Sequence, residues 1–181
     1  MKNTVPDALY IHIPFCARKC RYCDFNSFVS EPTFIDKYLT ALEKEICSLK
    51  GHYVFNTVYI GGGTPSLLTE SQLEKLLHGV LAISEAYEYT VEVNPGTMNV
   101  DKAKVLKEYG VNRISLGVQS FQDKQLKLLG RMHSGNDARK TFDLLRNTGF
   151  ENINIDLIFG CSNQSLPDRE ADLKTVIELN P

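Results

Sequence analysis

The sequence predicts an α/β fold of about five β–α units, in which parallel strands are joined by helical crossovers. Short apolar, strand-like stretches alternate with longer amphipathic stretches along the chain. A glycine-rich or polar turn comes directly after the end of each strand, as expected for the ligand-binding edge of a parallel sheet. Side chains within several strands alternate between branched apolar and polar residues. This alternation favours an open or closed (β/α) barrel with a lined concavity over a sheet buried on both faces.

Runs of apolar and β-branched residues that end in turn residues predict five strands, over residues 8–13, 55–60, 89–93, 113–118 and 152–159. Helical periodicity predicts helices between them, over residues 33–49, 70–83, 101–109, 124–129, 136–147 and 168–179. Thr69 is a suitable N-cap for the second helix, and Gly110 and Gly130 are typical C-terminal stops. The first helix is predicted to bury Phe34, Tyr38, Leu42, Ile46 and Leu49.

Composition and charge restrict the class of protein. The chain is 43% hydrophobic and 23% charged, which is ordinary for a globular domain, so residues 1–181 are treated as one domain. A net charge of −2 offers no basic field for nucleic acid or for an anionic membrane. Residues 1–7 carry no apolar signal segment, and no apolar run is long enough to span a bilayer. A cytoplasmic location is therefore expected.

The polar face of the predicted sheet is the candidate binding surface. Branched apolar residues occupy the other face, which suits packing under helices. A polar network that fills a barrel interior without binding a ligand is the alternative interpretation. The residues predicted to point to the polar face are Tyr10, His12, Glu92, Gln119, Asn154 and Asp156.

Three of the five cysteines form a C-x3-C-x2-C motif directly after the first strand, at Cys16, Cys20 and Cys23. An odd number of cysteines with three clustered favours metal binding in a reducing compartment over a disulfide framework. Three thiolates do not complete a four-ligand site, and Cys47 and Cys161 stand apart, so the motif predicts a site with one open position. A zinc site completed by His12 or another residue, in a zinc-stabilised binding module, is the alternative.

The cysteine motif, with an aromatic residue before its last cysteine and a glycine-rich turn after the second strand, resembles the radical S-adenosylmethionine (SAM) superfamily. The resemblance implies a [4Fe–4S] cluster held by Cys16, Cys20 and Cys23, whose fourth iron is left to the amino and carboxylate groups of SAM. It also implies reductive cleavage of SAM to methionine and a 5′-deoxyadenosyl radical, with the radical chemistry carried by the cofactor.

Six blocks of sequence, at residues 10–16, 61–65, 91–96, 115–121, 130–133 and 154–160, resemble the oxygen-independent coproporphyrinogen oxidase family and its HemW-type haem chaperone branch. The resemblance implies an incomplete radical-SAM (β/α) barrel, truncated at the C-terminus. It assigns no catalytic residue. The residues it implies for SAM binding are Tyr10, Tyr22, Gly62, Gly63, Thr64, Glu92, Gln119, Arg131 and Asp156.

Phe25 separates the two branches, because the oxidase pattern carries a fourth cysteine at this position, two residues after the third. Together with the few residues before the first strand, it favours the haem chaperone branch over a coproporphyrinogen dehydrogenase. The resemblance implies haem or porphyrin as cargo, an electron donor such as flavodoxin or ferredoxin, and a haem-accepting protein. His12 and His133 are candidate haem ligands, although a lone histidine is more often a hydrogen-bonded structural residue.

Overall fold

The computed structural model describes residues 6–181. The prediction that residues 1–7 carry no apolar signal segment therefore falls mostly outside the described residues. The described strands are β1 (Ala8–Ile13), β2 (Phe55–Gly62), β3 (Ser84–Val93), β4 (Arg113–Gln119) and β5 (Asn152–Leu157). The described α-helices are α1 (Pro32–Leu49), α2 (Glu70–Leu81), α3 (Val100–Glu108), α4 (Asp123–Leu129), α5 (Gly135–Asn147) and α6 (Leu166–Leu179).

The sheet has the order β1-β2-β3-β4-β5, and every pair of neighbouring strands is parallel. The predicted α/β fold with helical crossovers is therefore confirmed. Within the described residues the outer strands, β1 and β5, pair on one side only, so the sheet is an open part of a barrel. None of the helices in residues 6–181 is long and apolar enough to cross a membrane.

One face of the sheet is buried, and one row of residues across it shows why. Its members lie in register on five consecutive strands, and each side chain is at most 3% exposed. Branched side chains at these positions pack under the helices and remove apolar area from water, at roughly 25 cal/mol per Å². The row consists of Ile11, Ile60, Val91, Ile114 and Ile153.

Several predicted boundaries shift by a few residues. β3 begins at Ser84 instead of residue 89, because Ser84 pairs with Phe55 at the start of β2. β5 ends at Leu157 instead of residue 159, because Leu157 pairs with Gln119, the last residue of β4. α6 begins at Leu166, two residues early, because the residue before it, Ser165, forms a capping box with the side chain of Asp168.

The predicted apolar face of α1 was wrong in one position. Phe34 is 50% exposed, whereas Ile35, Leu39 and Ile46 are buried. The buried face is centred one residue further along, and the ring of Phe34 lies at its edge, 6.2 Å from the ring of Phe28 in the segment that follows the cysteines. α1 therefore supports the sheet and also packs against the segment that carries the cysteine motif.

A buried carboxylate ties α6 to the segment after β4. Asp172 is 0% exposed, and one of its oxygens accepts from the amide of Phe121 at 2.8 Å. Its other oxygen accepts from the hydroxyl of Ser120 at 2.8 Å. This segment begins directly after Gln119, a candidate site residue. Asp172 therefore helps to position Gln119 through contacts that lie outside the site.

Candidate functional site

One cavity lies beyond the carboxyl ends of the strands. It is lined by residues of β3, β4 and β5 and of the segments that follow β1, β2, β3 and α4. Every residue predicted to bind the cluster or SAM, except Tyr10, lines it, whereas His12 and Asn154 of the predicted polar face do not. The residues that line it as predicted are Cys16, Cys20, Tyr22, Cys23, Gly62, Gly63, Thr64, Glu92, Gln119, Arg131 and Asp156.

The segment that carries the cysteines is held at both ends by backbone hydrogen bonds. The amide of Cys16 donates to the carbonyl of Phe28 at 3.0 Å, and the amide of Arg21 donates to the carbonyl of Leu129 at 3.0 Å. Between these points Lys19 Nζ donates to the carbonyl of Phe25 at 2.5 Å. The three cysteines are free thiols, partly exposed to the cavity. Their arrangement is thus set by the fold before any ligand binds.

The glycine turn after β2 lies directly against this segment. A Cβ added at Gly63 would be 2.7 Å from the carbonyl oxygen of Phe15 and 2.9 Å from Cys16 Sγ. Both distances are shorter than van der Waals contact, so no other residue fits here without movement of the backbone. Gly62 has φ of 119°, a conformation that L-residues with side chains rarely adopt. The glycines therefore bring the backbone close to the first cysteine.

Glu92 projects from β3 into the cavity. Its carboxylate accepts from the hydroxyl of Tyr59 at 2.8 Å and from the amide of Gly62 at 3.0 Å. Burial raises its pKa, and the charge of Asp156 adds to the rise, while the two hydrogen bonds oppose it. A carboxylate held by two donors and partly withdrawn from water is suited to bind a cationic or hydroxyl group.

Asp156 is the second acidic residue of the cavity, besides Glu92. It accepts from Ser115 Oγ at 3.0 Å and from Asn154 Nδ2 at 2.7 Å. Both partners lie on the polar face that strand alternation predicts. The two carboxylates, Glu92 and Asp156, therefore share the concave face of the sheet, and both remain accessible from the cavity.

Arg131 connects the cavity wall with the cysteines. Its Nη2 donates to Asn94 Oδ1 at 2.5 Å and to the carbonyl of Gly117 at 2.6 Å. Its Nη1 lies 3.7 Å from Cys20 Sγ and 3.5 Å from the hydroxyl of Tyr22. Nε is buried and has no hydrogen-bond partner within residues 6–181.

The predicted site residue Tyr10 is placed outside the cavity. It is 57% exposed, its hydroxyl lies 2.9 Å from His12 Nδ1, and its ring stacks on that of Tyr59. Tyr10 does lie on the polar face, but it pairs with Tyr59 well before the carboxyl end of β1, where the cavity opens. Strand alternation predicts this face, and the part of Tyr10 in SAM binding, which the resemblance implies, stays a prediction.

The two candidate haem ligands both have structural partners. His133 is 8% exposed, and its Nε2 lies 3.0 Å from the carbonyl oxygen of Val118. Burial and the charge of Arg131 lower its pKa to about 4, so it is neutral at physiological pH. His12 uses one ring nitrogen with Tyr10 and the other with the carbonyl of Asn26 at 2.8 Å. A zinc ligand at His12 would have to break one of these hydrogen bonds.

Asn94 is the main cavity residue that was not predicted as part of the site. The Asn94-Pro95 pair follows the third strand at the predicted ligand-binding edge of the sheet, but the resemblance assigns no role to the side chain of Asn94. Its position directly after a strand end, beside residues predicted to bind a ligand, was the available signal. Other lining residues outside the prediction are Val93, Pro95, Thr97, Ser115, Gly117 and Met132.

The donor set fits a cluster better than a single ion. Within residues 6–181, no three His, Cys, Asp or Glu side chains are close enough together to hold one metal ion. The thiolates of a [4Fe–4S] cluster bind different irons, so they are spaced more widely than the ligands of one ion. Three free thiols line one cavity and can each ligate a different iron, and the guanidinium of Arg131 lies beside one of them.

Comparisons with known proteins agree with this geometry. Residues 10–176 match the Radical SAM superfamily. The chain is 43% identical to the heme chaperone HemW of Bacillus subtilis over 178 residues, which is 94% of this chain and 47% of that protein. It is 42% identical to the heme chaperone HemW of Escherichia coli over 189 residues, with 100% and 50% coverage. The chain thus spans about half the length of the curated relatives it matches.

A solved structure gives the same picture. The coproporphyrinogen III oxidase HemN from Escherichia coli, described as a radical SAM enzyme, superposes with a TM-score of 0.87. The sequences are 34% identical, and the match covers 97% of this chain and 42% of that one. A native structure with bound AdoMet, anSMEcpe, has a TM-score of 0.69 at 17% identity, which supports the fold alone.

Proposed function

This chain belongs to the radical SAM superfamily, and from that premise we propose that it binds a [4Fe–4S] cluster and SAM in the cavity beyond the strand ends. Cys16, Cys20 and Cys23 would hold the cluster. The observation that carries the proposal is that these three free thiols face the same cavity as Glu92 and Arg131, two charged groups suited to the amino-acid end of SAM.

Each wall of the cavity suits one part of SAM. Glu92 and Asp156 can accept from the ammonium or from ribose hydroxyls. The backbone at Gly62 and Gly63 can approach the amino-acid end, and the positively charged guanidinium of Arg131, which lines the cavity, can pair with the carboxylate. The remaining polar contacts would come from Thr64 and Gln119, and the ring of Tyr22 is placed to lie against the adenine.

When bound, the cluster and SAM supply one-electron chemistry that amino-acid side chains cannot provide. The residues of the chain bind and orient the two groups and limit the access of water. Tyr22 lines the cavity as a neutral phenol, because burial raises its pKa to about 12. An electron donor such as flavodoxin or ferredoxin is part of the proposal.

For the whole protein we propose a role in haem trafficking in the cytoplasm, with haem as cargo and a haem-accepting protein as partner. Two relatives at 42–43% identity carry the name heme chaperone HemW, whereas the oxidase structure is 34% identical. Phe25, 70% exposed at the edge of the cavity, stands where the oxidase pattern has a fourth cysteine. This residue supports the chaperone branch.

The alternative is an oxygen-independent coproporphyrinogen III dehydrogenase. The 0.87 TM-score with the Escherichia coli oxidase favours it, since the cavity walls have the same fold in both. SAM binding alone does not separate the two functions, because both would use the same cluster and SAM residues.

We expect the intact parent protein to bind haem and not to convert coproporphyrinogen III to protoporphyrinogen IX. The reason is Phe25 in place of a further cysteine, together with the greater similarity to the haem chaperones. Haem titration and an anaerobic assay with coproporphyrinogen III, SAM and dithionite would be run in parallel. Robust decarboxylation would contradict the chaperone proposal, and failure of both assays would indicate another substrate.

Glu92→Gln and Arg131→Ala are each expected to weaken SAM binding about fivefold or more without loss of the cluster. Each change removes a charged hydrogen-bond partner, at a cost of about 1–3 kcal/mol. The raised pKa of Glu92 adds a pH dependence: affinity should begin to fall, as pH decreases, at a higher pH than for an ordinary glutamate. Calorimetry on reconstituted protein measures both effects.

Glu85→Gln is the matched control, because Glu85 lies on the same strand as Glu92 but is exposed and does not line the cavity. Its SAM affinity should equal that of the unmodified chain. Equal affinities for all the variants would show that the polar face of the sheet does not bind SAM.

A further inference from the structure

We propose that Asn94 is a positioning residue that holds two hydrogen-bond donors against two of the cysteine sulfurs and thereby raises the reduction potential of the cluster. The inference rests on the proposed binding of a cluster by Cys16, Cys20 and Cys23. It concerns a residue that the sequence motifs did not assign to the site, and it follows from a continuous chain of hydrogen bonds across the cavity.

Two side chains direct donors at cysteine sulfurs. Thr64 Oγ1 lies 3.6 Å from Cys16 Sγ, and Arg131 Nη1 lies 3.7 Å from Cys20 Sγ. These two residues come from different loops, after β2 and after α4, and 67 positions separate them in the sequence. A residue that contacts both Thr64 and Arg131 can set their positions relative to the cysteine segment.

The carboxamide of Asn94 lies between the two donors and contacts both. Its Nδ2 donates to Thr64 Oγ1 at 2.7 Å, and its Oδ1 accepts from Arg131 Nη2 at 2.5 Å. A single planar group therefore links the residue that contacts Cys16 to the residue that contacts Cys20.

The inventory of donors fixes the direction of every bond in this chain. A guanidinium can only donate, so the atom of Asn94 that faces Arg131 must be the oxygen, and the amide nitrogen must face Thr64. The hydroxyl of Thr64 accepts from that nitrogen, which leaves its own proton free to point at Cys16 Sγ. Asn94 thus orients the hydroxyl proton as well as the guanidinium.

Asn94 is itself held in place. Its amide donates to Ser66 Oγ at 3.1 Å, and its carbonyl accepts from Thr97 Oγ1 at 2.7 Å. A Cβ added at Gly117 would be 2.9 Å from Asn94 Oδ1, so a glycine on β4 leaves the space that the carboxamide occupies. Contacts with Ser66, Thr97 and Gly117 therefore hold Asn94 in place.

Hydrogen bonds to the sulfurs that ligate a cluster stabilise the more negative, reduced form and raise the reduction potential. The full positive charge of Arg131 acts in the same direction. Without Asn94 the hydroxyl of Thr64 is free to rotate, and the guanidinium keeps only Gly117 as a strong partner. Loss of the carboxamide should consequently lower the potential.

The test is a redox titration of the anaerobically reconstituted chain without SAM, with dithionite as reductant and the electron paramagnetic resonance of the one-electron-reduced cluster as readout. We expect Asn94→Ala to lower the ratio of reduced to oxidised cluster at fixed potential about tenfold, a shift of ~59 mV for a one-electron couple. Asn99→Ala, which removes an N-cap of α3 outside the cavity, is the matched control and should leave the potential unchanged.

Variants of the donors separate positioning from a general loss of structure. Thr64→Ser keeps the hydroxyl and should keep the potential, whereas Thr64→Val should lower it. In a Thr64→Val, Arg131→Met background, Asn94→Ala should cause no further shift, because its effect passes through those two residues.

The outcomes are distinct. Absence of iron from the unmodified chain would overturn the proposed cluster and not the role of Asn94 alone. Full iron content with an unchanged potential in Asn94→Ala would overturn the inference. If Asn94→Ala takes up too little iron to titrate, the Thr64→Ser and Thr64→Val pair decides, and equal potentials for the two would overturn it.

Discussion

Replacement of Cys16, Cys20 or Cys23 by alanine is expected to abolish cluster binding, whereas replacement of Cys47 or Cys161 should leave the iron content unchanged. The first three face the cavity, and each would supply the only protein ligand to one iron. Cys47 is exposed on α1, and Cys161 follows β5 outside the cavity. The measurement is iron and sulfide per chain after anaerobic reconstitution, together with the optical and paramagnetic spectra.

The controls in this series are internal. All five variants remove one thiol, so a general effect of fewer thiols during reconstitution would lower iron in every variant alike. Loss of iron in the Cys161 variant equal to that in the Cys16 variant would contradict the assignment of three ligands.

Asp172→Ala is expected to destabilise the fold by about 3 kcal/mol. The change leaves the amide of Phe121 and the hydroxyl of Ser120 buried without their acceptor, and it removes the link between α6 and the segment after β4. Urea unfolding followed by circular dichroism measures the loss. Asp168→Ala, at a partly exposed position of the same helix, removes only the capping box with Ser165 and should cost clearly less; equal costs would contradict the role given to the buried contacts of Asp172.

Much of the fold follows from alternation along the strands. Ile114 and Leu116 are buried while Ser115 between them carries a hydrogen bond to Asp156, as period-two alternation predicts. The same alternation predicts the polar face, whose residues Glu92, Gln119 and Asp156 line the cavity. The arrangement works because each strand of this sheet has one face toward the helices and one toward the cavity.

Other features depend on contacts that alternation does not encode. Asp172 lies in a helix where a charged residue is normally exposed, and its partners are about 50 positions earlier in the chain. Asn94 acts through two side chains from separate loops. Gln119 lines the cavity as alternation predicts, but its positive φ of 71°, at an irregularity in the pairing of β4 with β5, does not follow from alternation. Each of these requires the packed positions of distant segments.

The contact between the cysteine segment and Arg131 has a further consequence, for the order in which the site forms during synthesis. Cys20 and Arg131 are separated by 111 positions, while the strands pair only with their neighbours in sequence. At 5–20 residues per second, roughly 5–20 s pass between translation of the cysteines and translation of Arg131. Throughout that interval Arg131 is not yet available to contact Cys20. This contact is therefore completed only after the residues of β1, β2, β3 and β4 have been translated.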